Sequence, residues 1–89
     1  MLSQNAAIIN KLGLHARAAA KLTHIASGYQ CEIWLSRSGR RVNAKSIMGV
    51  MMLAAGLGSA VEIEADGPDE EAAIDTIEKL FADKFGEGE

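Results

Sequence analysis

Cysteine, proline, aromatic residues and long apolar runs are all scarce in this chain. One cysteine, Cys31, excludes an intramolecular disulfide and any cysteine-cluster zinc site. A small domain without disulfide staples suits a reducing compartment. One Trp, one Tyr and two Phe leave the core to Ile, Leu, Val, Met and Ala. Positive charge is not in excess: the net charge is −3, which argues against a nucleic-acid binder held by phosphate contacts. The only local basic cluster, Arg37, Arg40 and Arg41 around Ser38-Gly39, reads as a solvated hairpin tip. The longest apolar run, Ile47 to Leu57, is interrupted by Gly49 and Gly56. It is shorter than the roughly 20 residues a membrane span needs. The opening "MLSQNAAIIN" has neither a basic segment nor an apolar core, so no signal peptide is expected. Together these features predict a cytoplasmic protein that binds neither nucleic acid nor membrane.

Eighty-nine residues, nearly half of them apolar, predict a single domain over residues 1–89 with a modest core. Ala6 to Asn10 is a short apolar run suited to a strand, and Gly13 breaks it. Ala18, Leu22 and Ile25 then recur at i, i+4 and i+7, one face of a helix, with Gly28 as its stop. Cys31, Ile33 and Leu35 alternate with Glu32, Trp34 and Ser36, a half-buried strand. Ser38-Gly39 turns the chain into a returning strand at Arg41 to Asn43. Ser46 is a good N-cap for a short helix from Ile47 to Leu53. Val61, Ile63 and Ala65 alternate with Glu62 and Glu64 as a further strand. Pro68 and the acids Asp69, Glu70 and Glu71 open a last helix. Ile74, Ile77, Leu80 and Phe81 are its buried stripe, and Gly86 is its expected end. The order β-α-β-β-α-β-α predicts an α+β sandwich with helices on one sheet face.

The segment "NKLGLHARAAAKL" begins its helix in an unusual way. A helix leaves its first N–H groups without intrahelical partners, and its dipole favours an anion there. Gly13-Leu14-His15-Ala16 offers no carboxylate or hydroxyl, and Arg17 adds positive charge. A phosphoryl group fits this deficit. A neutral, exposed imidazole can act as a nucleophile and carry that group as a phosphoramidate. On these residues alone two readings stand: a polar surface histidine, or a phosphoryl acceptor. His24, nine residues on, falls on nearly the opposite side of the helix and reads as a surface residue. No cofactor-binding motif, metal-ligand set or catalytic triad is present. The second helix, "SIMGVMML", is apolar all round. Val50 and Leu53 suit the core, leaving Ile47, Met48 and Met51 either as further core or as a docking patch.

Three segments carry a family resemblance. "NKLGLHARAAAKL" resembles the active-site segment of the histidine-containing phosphocarrier family, HPr, of the bacterial phosphoenolpyruvate-dependent phosphotransferase system. "AKSIMGVMML" resembles the family's regulatory-serine segment, and "VEIEADGPDEEAA" its last strand and helix start. The order and spacing match, and the likeness covers essentially the whole chain. Ala18 stands where many members have proline, and Met52 with "LAAGLG" is more similar to proteobacterial members.

The resemblance implies an open-faced β-sandwich, βαββαβα, with a four-stranded antiparallel sheet and three helices on one face. It implies a monomeric carrier rather than an enzyme, working without a cofactor. His15 would accept a phosphoryl group on Nδ1 from phosphorylated Enzyme I and pass it to an enzyme IIA-type protein. Arg17 matches the arginine that stabilises the phosphate, and Ser46 the serine modified by an HPr kinase/phosphorylase. The docking residues implied around His15 are Ala20, Ile47, Met48 and Met51. Two other classes stay open: a regulatory binding module read through Ser46 and the methionine patch, and an enzyme using His15 as general base. The second needs a further catalytic group, and the sequence names none.

Overall fold

The computed structural model describes residues 1–87. The elements are β1 (Leu2–Ala7), α1 (Ala16–Ser27), β2 (Glu32–Arg37), β3 (Arg40–Asn43), α2 (Ile47–Met52), β4 (Ala60–Asp66) and α3 (Glu70–Ala82), then a single 3-10 turn at Lys84–Gly86. The four strands pair antiparallel in the order β1-β4-β2-β3. This is the expected order of elements and the expected open-faced α+β sandwich.

The register explains why the alternating residues are partitioned so cleanly. Leu35 pairs with Ile63 and Ile33 with Ala65, so the apolar positions of β2 and β4 point to one face. There Ile33, Leu35, Val61, Ile63 and Ala65 are fully buried. The helices supply Ala18, Ala19, Leu22, Ala26, Val50, Ile74, Ile77 and Phe81 against them. Burying each large aliphatic side chain contributes about 1.5–3 kcal/mol. Glu62 and Glu32 stay on the open face, where Trp34 is partly covered by the Arg41 guanidinium, 4.1 Å from the ring centroid. Arg41 also donates to Glu64 across the sheet at 3.0 Å.

Three expectations are corrected. The first strand runs from Leu2 to Ala7, not Ala6 to Asn10: the ladder with β4 ends at the Ala7–Ala60 pair. Beyond it Ile8 keeps two backbone bonds, to Ser59 and Gly58, and plugs the core, while Asn10 already belongs to the next loop. The last helix ends at Ala82 rather than Gly86, because Lys84 and Phe85 both turn into the left-handed region at φ 55°. The arginine hairpin is more than a solvated tip. Arg37 donates to the carbonyl of Leu53 (3.1 Å) and Arg40 to that of Met52 (2.7 Å), satisfying carbonyls at the C-terminal end of α2.

Asp69 stands at the N-cap of α3 but makes no side-chain cap there. Its carboxylate accepts the N–H groups of Gln30 (2.8 Å) and Cys31 (2.9 Å), tying the start of α3 to the start of β2. The hydrogen bond from Gln30, followed by that from Cys31, holds its pKa below the ordinary aspartate value of 3.8. A folded pKa below the unfolded one means that the stabilisation is complete above the unfolded value. It is lost as pH falls through the folded one. The urea midpoint should therefore drop as pH is lowered from about 5 to about 2. Asp69→Asn should lower the midpoint at neutral pH and flatten part of that acid slope. A wild-type-like slope in Asp69→Asn would remove Asp69 from the account.

Candidate functional site

The loop between β1 and α1 is built to present one side chain. Asn10 is fully buried, and its Nδ2 donates to the Gly13 carbonyl at 2.8 Å, closing a tight turn. Gly13 adopts φ +65°, and a Cβ there would meet the Ala55 carbonyl oxygen at 2.4 Å. Only glycine permits that approach. Leu14 then donates its N–H to the same Ala55 oxygen at 2.9 Å and buries its side chain. The next residue, His15, is the N-cap of α1, with extended backbone (φ −72°, ψ 177°).

His15 makes no side-chain capping bond, and the first turn of α1 holds no acid. The uncapped start read from the sequence is therefore present. Its imidazole is 28% exposed. Ala18 and Ala19 are fully buried, so α1 lies close on the core, while Arg17 and Ala20 point to solvent. Arg17 makes no ion pair or hydrogen bond among the described residues, and it lines the same cleft as His15. Lys11, Leu12, His15, Arg17 and Lys21 line one shallow cleft over the helix start. His24 lies exposed in the last turn of α1, away from this cleft.

Glu87, five residues beyond the end of α3, also lines this cleft, and nothing in its sequence neighbourhood signals that directly. Glu87 Oε2 is hydrogen-bonded to His15 Nε2 across 72 residues of sequence, and Glu87 Oε1 accepts from Asn10 Nδ2 at 3.0 Å. The Glu87 side chain is 12% exposed. The bond to His15, then that from Asn10, holds its carboxyl below the usual range. The expected deficit of negative charge is thus relieved in part, on the Nε2 side of the ring and not at the helix N–H groups. One local signal was readable: Phe85 follows Phe81 by four residues, beyond the helix end. It is buried, with ring centroids 5.1 Å apart, and anchors the turn that delivers Glu87.

The other residues singled out lie nearby or elsewhere. α2 packs against α1. Val50 and Leu53 are buried, whereas Ile47 (44%), Met48 (69%) and Met51 (39%) are exposed. Met52 and Leu57 are exposed as well, which the sequence reading left out. Ser46 caps α2, its Oγ accepting the Gly49 N–H at 3.1 Å. Cys31 is buried, and that burial pushes its thiol up to about 11, so it stays protonated and unreactive. Among the described residues no cluster of His, Cys, Asp or Glu could hold a metal ion. Among the same residues no helix is long and apolar enough to cross a membrane.

Comparison with known proteins agrees with this geometry. Residues 2–83 match the family described as "PTS HPr component phosphorylation site". The phosphocarrier protein HPr of Cupriavidus necator is 61% identical over 89 residues, covering all of both chains. That of Neisseria meningitidis serogroup A is 53% identical, again over the full length of both. Among solved structures, HPr-C-His from Thermoanaerobacter tengcongensis superposes with a TM-score of 0.95 at 45% identity, covering 98% of each chain. An HPr dimer from the same organism gives 0.79 at 48% identity, covering 90% of this chain and 92% of that one. A fold, a segment order and a full-length likeness of this kind place the chain in the HPr family of phosphocarrier proteins of the phosphotransferase system, carriers rather than enzymes.

Proposed function

We propose that the chain acts as one domain that carries a phosphoryl group on His15 Nδ1. It takes the group from phosphorylated Enzyme I and delivers it to an enzyme IIA-type protein, in sugar transport or in regulation. One observation carries the reading: a partly exposed imidazole at an uncapped helix start, in one cleft with Arg17, which has no partner among the described residues. The free N–H groups of the first turn and the guanidinium offer donors to the phosphoryl oxygens. Lys11 and Lys21 add positive potential across the cleft. Ala20 is small and exposed, so a partner's own histidine has room for in-line approach. Ile47, Met48 and Met51 form the apolar ground on which successive partners dock, methionine adapting to each. His15, Arg17 and this patch all belong to one chain, so a monomer suffices. A buried, protonated lone thiol suits the cytoplasm.

Incubation with a cognate Enzyme I and labelled phosphoenolpyruvate tests the reading. The expected product carries an acid-labile, base-stable label. A wild-type chain that stays unlabelled would overturn it.

Ser46 is the regulatory element of this proposal, through an HPr kinase/phosphorylase. A phosphoryl group there would bring about −1.5 to −2 charges to the first turn of α2, which tolerates them. The same charge would sit beside Ile47 and Met48 and raise the cost of docking. Ser46→Asp keeps an N-cap and mimics part of that charge. It should leave circular dichroism unchanged and slow transfer from Enzyme I by about tenfold, the scale of a misplaced interface charge. Wild-type transfer rates in Ser46→Asp would count against the switch.

A further inference from the structure

We infer that Glu87 is a positioning residue for phosphoryl transfer, holding the proton of His15 on Nε2 so that the Nδ1 lone pair is the one presented to phosphorus. The inference rests on Nδ1 being the acceptor, and it concerns what selects that nitrogen.

The argument follows from donor and acceptor counts. An ionised carboxylate can only accept, so the ring nitrogen facing Glu87 Oε2 must carry the hydrogen. A neutral imidazole has one N–H. With that hydrogen on Nε2, Nδ1 is left with its lone pair and, among the described residues, no partner. Asn10 enforces the orientation of the carboxylate. Its two amide hydrogens go to the Gly13 carbonyl and to Glu87 Oε1, and both neighbours are acceptors, so the amide cannot be turned round. Glu87 is itself fixed from behind. The left-handed pair Lys84 and Phe85 turns the chain back from α3, and Phe85 is buried against Phe81. Lys21 Nζ donates to the Phe85 carbonyl at 2.7 Å, tying that turn to α1.

The transfer balances with the proton in this position. The His15 Nδ1 lone pair forms a bond to phosphorus as the donor's phosphorus–nitrogen bond breaks. The donor's nitrogen leaves with that electron pair. No proton has to move: His15 keeps hydrogen on Nε2 throughout, and its ring gains positive charge as the new bond forms. Glu87 faces that charge directly. A phosphoryl group on Nδ1 displaces nothing from the Glu87 side of the ring, and its oxygens face Arg17 and the helix N–H groups instead.

Glu87→Gln tests this with little change of shape. Asn10 still has a hydrogen to donate, so the glutamine oxygen stays on Asn10 and its amino group turns to His15 Nε2. That amino group is a donor, and it favours hydrogen on Nδ1, the wrong nitrogen for attack. Imidazole 15N shifts of the full chain at mildly alkaline pH should show wild-type His15 with hydrogen on Nε2. In Glu87→Gln they should move toward the Nδ1–H form. Label uptake from phosphorylated Enzyme I should slow by about tenfold or more, the scale of removing a carboxylate behind a working histidine. Glu87→Asp, which keeps an acceptor, should retain the wild-type 15N pattern. An unchanged pattern in Glu87→Gln overturns the inference, as does a shifted pattern with an unchanged rate. Absence of label on wild type overturns the carrier reading itself, a result separable from either of these because the 15N spectra need no Enzyme I.

Discussion

His15→Ala is expected to take up no phosphoryl label from phosphorylated Enzyme I, while His24→Ala labels as wild type does. The two histidines share α1 but differ in every respect that matters for the chemistry. His15 sits at the N-cap, partly exposed, facing a cleft that also holds Lys11, Arg17 and Lys21. His24 is in the last turn, where the dipole favours a cation, about 13 Å further along the axis. Removing the His15 side chain deletes the nucleophile and its bond to Glu87, but no helix cap, so the fold should persist. Arg17→Ala in the same assay should retain labelling at a rate lower by about 10²-fold, the scale of one lost donor to a transferring group. Its urea midpoint should be unchanged, because Arg17 makes no ion pair or hydrogen bond among the described residues. Label on His15→Ala, or its loss from His24→Ala, would move the acceptor elsewhere.

Residues whose environment is local were legible in the sequence. β2 and β4 alternate because one face of each lies under the helices, and α1 and α3 show their apolar stripes for the same reason. Ser46 was readable as a cap because capping is a contact across three residues. The first strand was shifted because Ile8 and Ile9 look like strand interior, whereas the ladder runs through the polar Ser3, Gln4 and Asn5 at a sheet edge. Arg37 and Arg40 looked solvated because their acceptors are carbonyls of another element. The site shows the same limit. The missing acid at the start of α1 was visible, since it depends on neighbours in sequence. Glu87 was not, since it arrives from 72 residues away through a pair of left-handed residues that no periodicity announces. Likewise the pattern that marks Gly13 as a break does not reveal what passes beside it.

What passes beside it sets the second large effect, in Gly13→Ala. A methyl group here would stand 2.4 Å from the Ala55 carbonyl oxygen and 2.7 Å from Gly56 Cα, at a residue with φ +65°. Both neighbours are backbone, so no side chain can swing away to make room. The Ala55 oxygen is also the acceptor for Leu14, so relieving the clash lengthens the bond that pins the His15 loop to the α2–β4 connection. Leu14, Leu53 and Ala55 are buried around that contact and would loosen with it. The loss of stability should be about 2–4 kcal/mol, read as a lower urea midpoint at unchanged slope. Gly39→Ala supplies the control. That glycine has φ +81° but open space around its missing Cβ, so only the conformational cost of about 1 kcal/mol should appear. The difference between the two variants isolates the steric part. Because His15 follows two residues after Gly13, label uptake should fall in Gly13→Ala and hold in Gly39→Ala. Equal midpoints for the two would mean that the loop moves away as a unit, and that its close seat against Ala55 does not set the position of His15.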